Sequence, residues 1–267
     1  MKRINIIIAS LFLPIALLNS ANAQSVVPDP TVMDVVEDVR GRVESVIEWD
    51  VTKDLSLEAG VETRLSNNIG SLDRIHTFVG ATYDLGKNLK VGGEYILINM
   101  YDSEIKAWES RRHRANINVE GEMEFGDFEF SLRERVQSTF RTDSVNRYEK
   151  CDPEVILRSR LMATYKIPHS RWSPYLLFEL HNTLNAPKAV SNFLTDKYEV
   201  DNYITRYRGG VGAKYRVDRD HRLDFYYYFD FDRSYNIDYK GTKGDIKDYK
   251  FEREIRHIFG VSYKFKL

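Results

Sequence analysis

The chain has 267 residues, and its 17 tyrosines and 14 phenylalanines against 7 prolines favour β-strands. A formal charge of −1 excludes the strongly basic surface that a nucleic-acid-binding protein would need, so we predict no nucleic-acid partner. The only cysteine, Cys151, can form neither an internal disulfide nor a thiolate metal cluster. We therefore predict no metal site and no cofactor.

The first 23 residues have the layout of a cleaved export signal. Lys2 and Arg3 form a basic head, a mainly apolar stretch follows, and the small residues at positions 21 and 23 precede Gln24. We predict that residues 1–23 are a signal peptide cleaved near Ala23/Gln24, which sends the mature chain out of the cytoplasm. Loss of the two cations changes the formal charge of the chain from −1 to −3.

Beyond residue 23, charged residues recur too often for a helix to span a membrane. The sequence instead alternates between apolar and polar residues in eleven runs, each about as long as a tilted strand of a transmembrane barrel. The runs are 41–51, 55–66, 73–85, 89–100, 109–125, 128–141, 155–166, 174–184, 203–217, 222–232 and 251–267. Short connections alternate with long ones, which is typical of a barrel with short periplasmic turns and long extracellular loops.

We therefore predict an all-β protein, a transmembrane antiparallel β-barrel of about twelve strands over residues 41–267. If the short turns face the periplasm, the first run descends from the outer surface, and residues 24–40 must complete the topology. We favour a weak first strand in this segment. The alternative is a barrel of the 10 or 11 visible strands, with residues 24–40 inside the lumen as a plug.

Aromatic residues recur on the apolar faces of the runs, close to the short turns or the C-terminus. They are Trp49, Tyr83, Phe125, Tyr165, Tyr215, Tyr263 and Phe265. A ring of aromatic side chains at one height is the interfacial girdle of a membrane barrel, and it argues against a soluble β-sandwich. The predicted location is the bacterial outer membrane. The predicted partners are its lipids and the barrel assembly machinery, which would read the aromatic C-terminal strand.

The opposite faces of the runs, which would line the lumen, are densely charged. Arginines occur in i, i+2 pairs at Arg112/Arg114, Arg133/Arg135, Arg158/Arg160 and Arg206/Arg208. Acidic residues occur at Glu44, Glu48, Glu58, Glu62, Glu120, Glu122, Glu124, Asp224 and Asp230. Because members of an i, i+2 pair share one side of a strand, we predict a lumen with a basic wall and an acidic wall.

Two functions are compatible with such a lumen. If water separates the walls, the arginines would attract anions and bind their oxygens with guanidinium forks, as in a narrow porin-like channel for small anionic or polar solutes. If the opposite charges pair directly, the interior would be filled and the protein would be a closed structural barrel. The long loops at 185–202 and 233–250 would lie at the mouth in either case.

A third hypothesis is an outer-membrane lipid hydrolase. The short turn "GD" places Ser138 opposite Ala115 on the lipid-facing wall, so His113 would lie about 7–8 Å away as a diagonal neighbour. No activated-nucleophile motif surrounds Ser138, so catalysis is the weakest of the three hypotheses. His76 and His181 are predicted to face the lumen as polar lining, because no metal-ligand spacing accompanies them.

Six segments, in order along the chain, resemble one known family. They are "RRHRANINVEG", "FSLRERVQ", "ILRSRLMATYKI", "SPYLLFELHNTL", "ITRYRGGVGAKY" and "HRLDFYYYF". They are similar to an uncharacterised family of bacterial outer-membrane barrels catalogued as a domain of unknown function (DUF2490). The resemblance implies a fold and a location, but no activity and no catalytic residues.

Overall fold

A computed structural model describes residues 27–267, which form twelve β-strands. The strands are β1 (Thr31–Asp50), β2 (Leu55–Ser66), β3 (Ser71–Asp84), β4 (Leu89–Asp102), β5 (Ala107–Trp108), β6 (Arg112–Phe125), β7 (Phe128–Arg141), β8 (Glu154–Tyr165), β9 (Trp172–Pro187), β10 (Val200–Arg216), β11 (His221–Tyr239) and β12 (Ile246–Lys266). The predicted signal peptide and residues 24–26 lie outside the described residues. Within residues 27–267, no helix is both long and apolar enough to cross a membrane.

Eleven of the strands close into a barrel. Each pairs with its neighbour along the chain, and β4 pairs with β6 because the two-residue β5 pairs only with the end of β4. The ring is completed by β1, which pairs with β2 on one side and with β12 on the other. The eleven predicted runs correspond to these eleven strands, so the predicted all-β barrel is confirmed.

The N-terminal segment differs from the favoured expectation of a separate strand. Residues 31–40 continue directly into the first predicted run and form one strand of 20 residues. This strand lies parallel to β12, with pairing from Thr31↔Lys250 to Glu48↔Lys266. The parallel direction follows from the odd number of strands, and the extra length of β1 covers a β12 edge that would otherwise be unpaired.

The predicted long loop at 233–250 is also mostly strand. β11 continues to Tyr239 and β12 starts at Ile246, so the hairpin extends beyond the last pairing of β11 with β10, Arg206↔Asp232, and the first pairing of β12 with β1, Thr31↔Lys250. The alternating apolar residues in this extension pack against the loop after β9. Their cluster contains Tyr148, Ala189, Val190, Ile237 and Tyr239, all of them buried. The rim at the long-loop end therefore has a small apolar core of its own.

The two faces of the wall differ sharply in polarity. The outer face is apolar, and Ile117 and Phe125 on β6 are 70% and 77% exposed. The inner face is polar, and Glu179 and Asp230 on β9 and β11 are 2% and 0% exposed. The polarity of the two faces is the reverse of that in a soluble barrel, and this arrangement is typical of barrels that are surrounded by hydrocarbon.

All seven predicted girdle residues lie at the short-turn end of the barrel or beside it. Tyr165 packs against Phe128, with ring centroids 4.9 Å apart, and Tyr215 packs against Trp172 at 4.6 Å. Phe128 and Trp172 thus extend the girdle beyond the set taken from the sequence. The tight turn between β6 and β7 contains Gly126 at φ 60°, a conformation that glycine adopts without steric cost.

Candidate functional site

The lumen holds two adjoining cavities. The larger has a volume of about 890 Å³ and opens towards the long loops, where Glu149 and Lys150 form part of its lining. The smaller has a volume of about 240 Å³ and lies deeper, towards the short turns. Most of the lining side chains come from the inward positions of the alternating strands, so the strand pattern of the sequence directly builds this site.

Cations outnumber anions around both cavities. Twelve arginines and one lysine line the larger cavity against seven carboxylates, which gives a formal charge of +6. Eight arginines line the smaller cavity against five carboxylates, which gives +3. Since the whole chain has a formal charge of only −1, positive charge is concentrated in the lumen. A site of this charge with low-dielectric walls attracts anions.

Five arginines line both cavities and mark the junction between them. They are Arg42, Arg64, Arg114, Arg158 and Arg208, contributed by β1, β2, β6, β8 and β10. These strands are distributed around the ring, so the arginines approach the junction from several directions. Any solute that moves from one cavity to the other must pass among guanidinium groups.

Three of the five arginines are paired with carboxylates. Arg208 and Asp230 are directly opposite on β10 and β11 and form two hydrogen bonds, of 2.6 and 2.7 Å. Arg158 donates to both oxygens of Glu179, at 2.8 and 3.1 Å. Arg64 pairs with Glu62 on its own strand. These are charge-assisted, partly bidentate contacts of the kind that hold side chains in one orientation.

The other two, Arg42 and Arg114, form no ion pair with any residue in 27–267. Arg114 donates from Nε to the Thr139 hydroxyl at 3.1 Å. Arg42 lies directly opposite Arg64, which in turn lies opposite Arg74 on β3. Like charges in directly opposite positions destabilise a sheet, so this row carries an electrostatic cost.

A second group of arginines lies on the far side of the lumen. Arg133 is opposite Arg160, and Arg135 is opposite Arg158, across β7 and β8. On a ring of eleven strands, β8 is the strand farthest from β1 and β2. Two sets of arginines therefore face each other across the smaller cavity, which both sets line.

The predicted division into a basic and an acidic wall is not what the structure contains. Arg206 and Arg208 on β10 adjoin the acidic residues of β11, and Glu179 lies between the arginines of β8 and β10. Opposite charges thus alternate around the ring. The excess of cations is distributed along the axis instead, towards the long loops and the middle of the barrel.

The predicted acidic residues lie mostly towards the short turns. Glu48 binds Lys264 and Lys266 at 2.8 and 3.2 Å, and Glu58 lies 3.5 Å from Lys264. Glu44 accepts a hydrogen bond of 2.6 Å from Ser262. Asp224 accepts one of 3.1 Å from the Tyr175 hydroxyl. These contacts fill the short-turn end of the lumen with paired charges.

Several residues at the junction were missed by sequence reasoning. Arg64 and Glu179 were overlooked because each alternates with a residue of another type, whereas the search pattern was two arginines at i, i+2. Arg42 does form such a pair with Arg40, but the first predicted run begins at residue 41 and separates the two. A pattern of any two charged or imidazole side chains at that spacing would have found Glu62/Arg64 and Glu179/His181. Conversely, Arg112 was predicted in the lumen but lines neither of the two cavities.

The structure does not assemble the predicted hydrolytic pair. Ser138 lies opposite Ala115, as the register predicted. However, Nδ1 of His113 is 2.5 Å from the Tyr95 hydroxyl on β4, and Ser138 forms no hydrogen bond with His113. Among residues 27–267, no group of three or more His, Cys, Asp or Glu side chains is placed to hold a metal ion.

Comparison with known proteins gives a structural similarity and a family. The outer-membrane expressed OmpT of Vibrio cholerae superposes with a TM-score of 0.33 and 11% identity, over 73% of this chain and 59% of that protein. This chain therefore spans about three fifths of that protein's length. A search of curated proteins finds no match. The family described as "Protein of unknown function (DUF2490)" matches residues 45–240, from the end of β1 to the end of β11, and the chain belongs to that family.

Proposed function

We propose that this protein is an outer-membrane β-barrel whose lumen admits small anionic solutes from the long-loop end and passes them through the arginine junction. The membrane location is supported by the apolar outer face and by the aromatic girdle at the short-turn end. The observation that carries the proposal is the surplus of cations around both cavities, +6 and +3. Guanidinium forks suit carboxylate, phosphate and sulfate oxygens.

The alternative is a closed structural barrel. It is favoured by the direct pairing of several lumen charges, of which Arg208 with Asp230 is the most buried example. Side-chain networks of this kind fill narrow barrels. The two candidates differ in one measurable property, because only an open path lets ions cross.

The test is the conductance of the purified protein in planar lipid bilayers under a KCl gradient. We expect single-channel conductance with a reversal potential that indicates preference for chloride over potassium. The double variant Arg42→Gln/Arg133→Gln removes one charge from each facing group and should lower this preference. The matched control is Lys53→Gln, because the Lys53 side chain lies in a turn and is 89% exposed.

Absence of conductance in the wild-type protein would favour the closed barrel. Cation preference would contradict the proposal outright, since it would mean that the arginines do not govern the path. If lipid hydrolysis accompanied the purified barrel and was lost in Ser138→Ala, the enzyme hypothesis would replace both.

A further inference from the structure

We propose that the junction between the two cavities is a binding site for a small oxyanion with two negative charges, held by Arg42, Arg114 and His76. The inference rests on the proposed function, because it names the class of anion that the lumen takes. It rests on contacts within the junction itself, however, and a site of this kind can bind an ion whether or not the barrel conducts.

The first argument is the pairing of the arginines. Of the five at the junction, Arg64, Arg158 and Arg208 are in contact with carboxylates, which are Glu62, Glu179 and Asp230. Five cations against three anions leave a surplus of two positive charges. A guanidinium cannot lose its charge at ordinary pH, so the junction keeps this local surplus of positive charge, which favours a bound anion.

The second argument is an unpaired buried nitrogen. His76 is 2% exposed and lines the smaller cavity. Its Nδ1 lies 3.4 Å from Glu62 Oε1, whereas its Nε2 has no hydrogen-bond partner. A buried polar atom without a partner is costly, and such atoms in native structures frequently mark ligand or water sites. The neutral tautomer with its proton on Nε2 would donate this N–H to a bound anion.

The third argument is the position of these groups on the wall. Arg42, His76 and Arg114 come from β1, β3 and β6, so they approach the smaller cavity from three different strands. The arginines of β7 and β8 line the same cavity. An anion in this space would convert repulsion between like charges into attraction to several strands.

The size of the space and the donor type define the ligand class. The cavity volume of about 240 Å³ is far above the ~10–15 Å³ that one water requires. Guanidinium groups bind tetrahedral and planar oxyanions through paired N–H donors, and bind a spherical halide less specifically. Phosphate and sulfate groups fit this description, and a short dicarboxylate provides the same two charges with a different shape.

The test is anion-dependent thermal stability of the purified full-length protein in a non-ionic detergent. Phosphate, sulfate or succinate is titrated at constant ionic strength against chloride, and the melting temperature is followed. A ligand that binds only the folded state raises the melting temperature as its concentration exceeds Kd. We expect phosphate and sulfate to stabilise the wild-type barrel more than chloride does, and succinate shows whether the site prefers tetrahedral ions.

Three variants locate the site. Arg42→Gln, Arg114→Gln and His76→Gln should each raise the apparent Kd for phosphate about tenfold, which equals about 1.4 kcal/mol. Arg42→Lys keeps the charge without the fork and should retain part of the affinity. The control is Arg222→Gln, because Arg222 is an exposed β11 residue that lines neither cavity.

Two results would overturn the inference. One is equal stabilisation by phosphate, sulfate and chloride in the wild-type protein, a comparison that needs no variant to fold. The other is an unchanged phosphate effect in Arg42→Gln and Arg114→Gln. Phosphate binding without conductance would remove the channel but keep the site, whereas conductance without specific binding would remove the site alone.

Discussion

Glu179 pairs with four side chains of the lumen, which are Arg133, Arg158, His181 and Arg208. It is 2% exposed, accepts hydrogen bonds from Arg158 at 2.8 and 3.1 Å, and lies 3.3 Å from Arg208. His181 also contacts it, at 2.7 Å, and Arg133 lies 3.7 Å away. The substitution Glu179→Gln keeps the size of the side chain but removes its charge.

The expected cost follows from what remains around the amide. Arg158 would keep only a weak contact of 3.4 Å to Gln137, so a buried guanidinium would lose its counter-charge. Removing one partner of a buried ion pair typically costs about 3–5 kcal/mol. Arg208 keeps Asp230 as a partner. We therefore expect Glu179→Gln to lower the free energy of unfolding by about 3–5 kcal/mol and not by more.

The assay is equilibrium unfolding in urea of the barrel refolded into lipid vesicles, followed by tryptophan fluorescence. The control is Glu199→Gln, because the Lys188–Glu199 pair has side chains that are 56% and 52% exposed. A surface pair of this kind contributes about 1 kcal/mol or less. Combining Glu179→Gln with Arg158→Gln should cost less than the sum of the two single changes, since the second removes the orphaned charge.

A loss below about 1 kcal/mol for Glu179→Gln, as for a surface pair, would refute this reasoning. It would mean that water screens the lumen charges and that the ion pairs do not bear on stability.

Three further predictions concern single residues. Gly60→Ala should lower the free energy of unfolding by about 1–3 kcal/mol in urea titrations, because the added Cβ would lie 2.5 Å from Phe78 Cζ and 2.7 Å from the Ser45 carbonyl oxygen. Burial raises the pKa of the Cys151 thiol above its ordinary value, so maleimide should label it far more slowly in the folded than in the urea-unfolded protein. Because the folded-state pKa is raised, the thiol's contribution to stability is complete below the pKa of the unfolded thiol and is lost as the pH rises through the folded-state pKa; Cys151→Ser should lack this alkaline dependence. Ser138→Ala should leave stability and conductance unchanged, since its hydroxyl contacts neither His113 nor the lumen; altered conductance would contradict the lipid-facing assignment.

The strand pattern could be predicted because an apolar outer face and a charged lumen impose a strict period of two. The segment Phe128–Arg141 shows this most clearly, and its bounds agree with the predicted run. The register across the "GD" turn could be predicted as well, because a two-residue turn fixes which residues face each other. The strand positions and the register across a tight turn could therefore be predicted from the sequence.

The pairing of strands that no two-residue turn joins could not be predicted from the sequence. That Arg42 lies opposite Arg64, and Arg133 opposite Arg160, depends on how neighbouring strands are staggered. The basic and acidic walls were predicted by grouping residues within strands, whereas ion pairs form between strands. The extension of β1 to Thr31 also depends on a distant partner, because its pairing residues lie on β12.

The parallel seam between β1 and β12 has a mechanical consequence. Parallel ladders have slanted hydrogen bonds and are slightly less stable per residue than antiparallel ones, and this seam joins segments more than 200 positions apart with no hairpin to hold them. The cylinder should consequently split lengthwise here before it splits elsewhere, which hydrogen exchange would reveal as early deuterium uptake along both terminal strands. Thr31 and Lys266 also lie at opposite mouths, so tags placed next to them would report on opposite ends of the barrel.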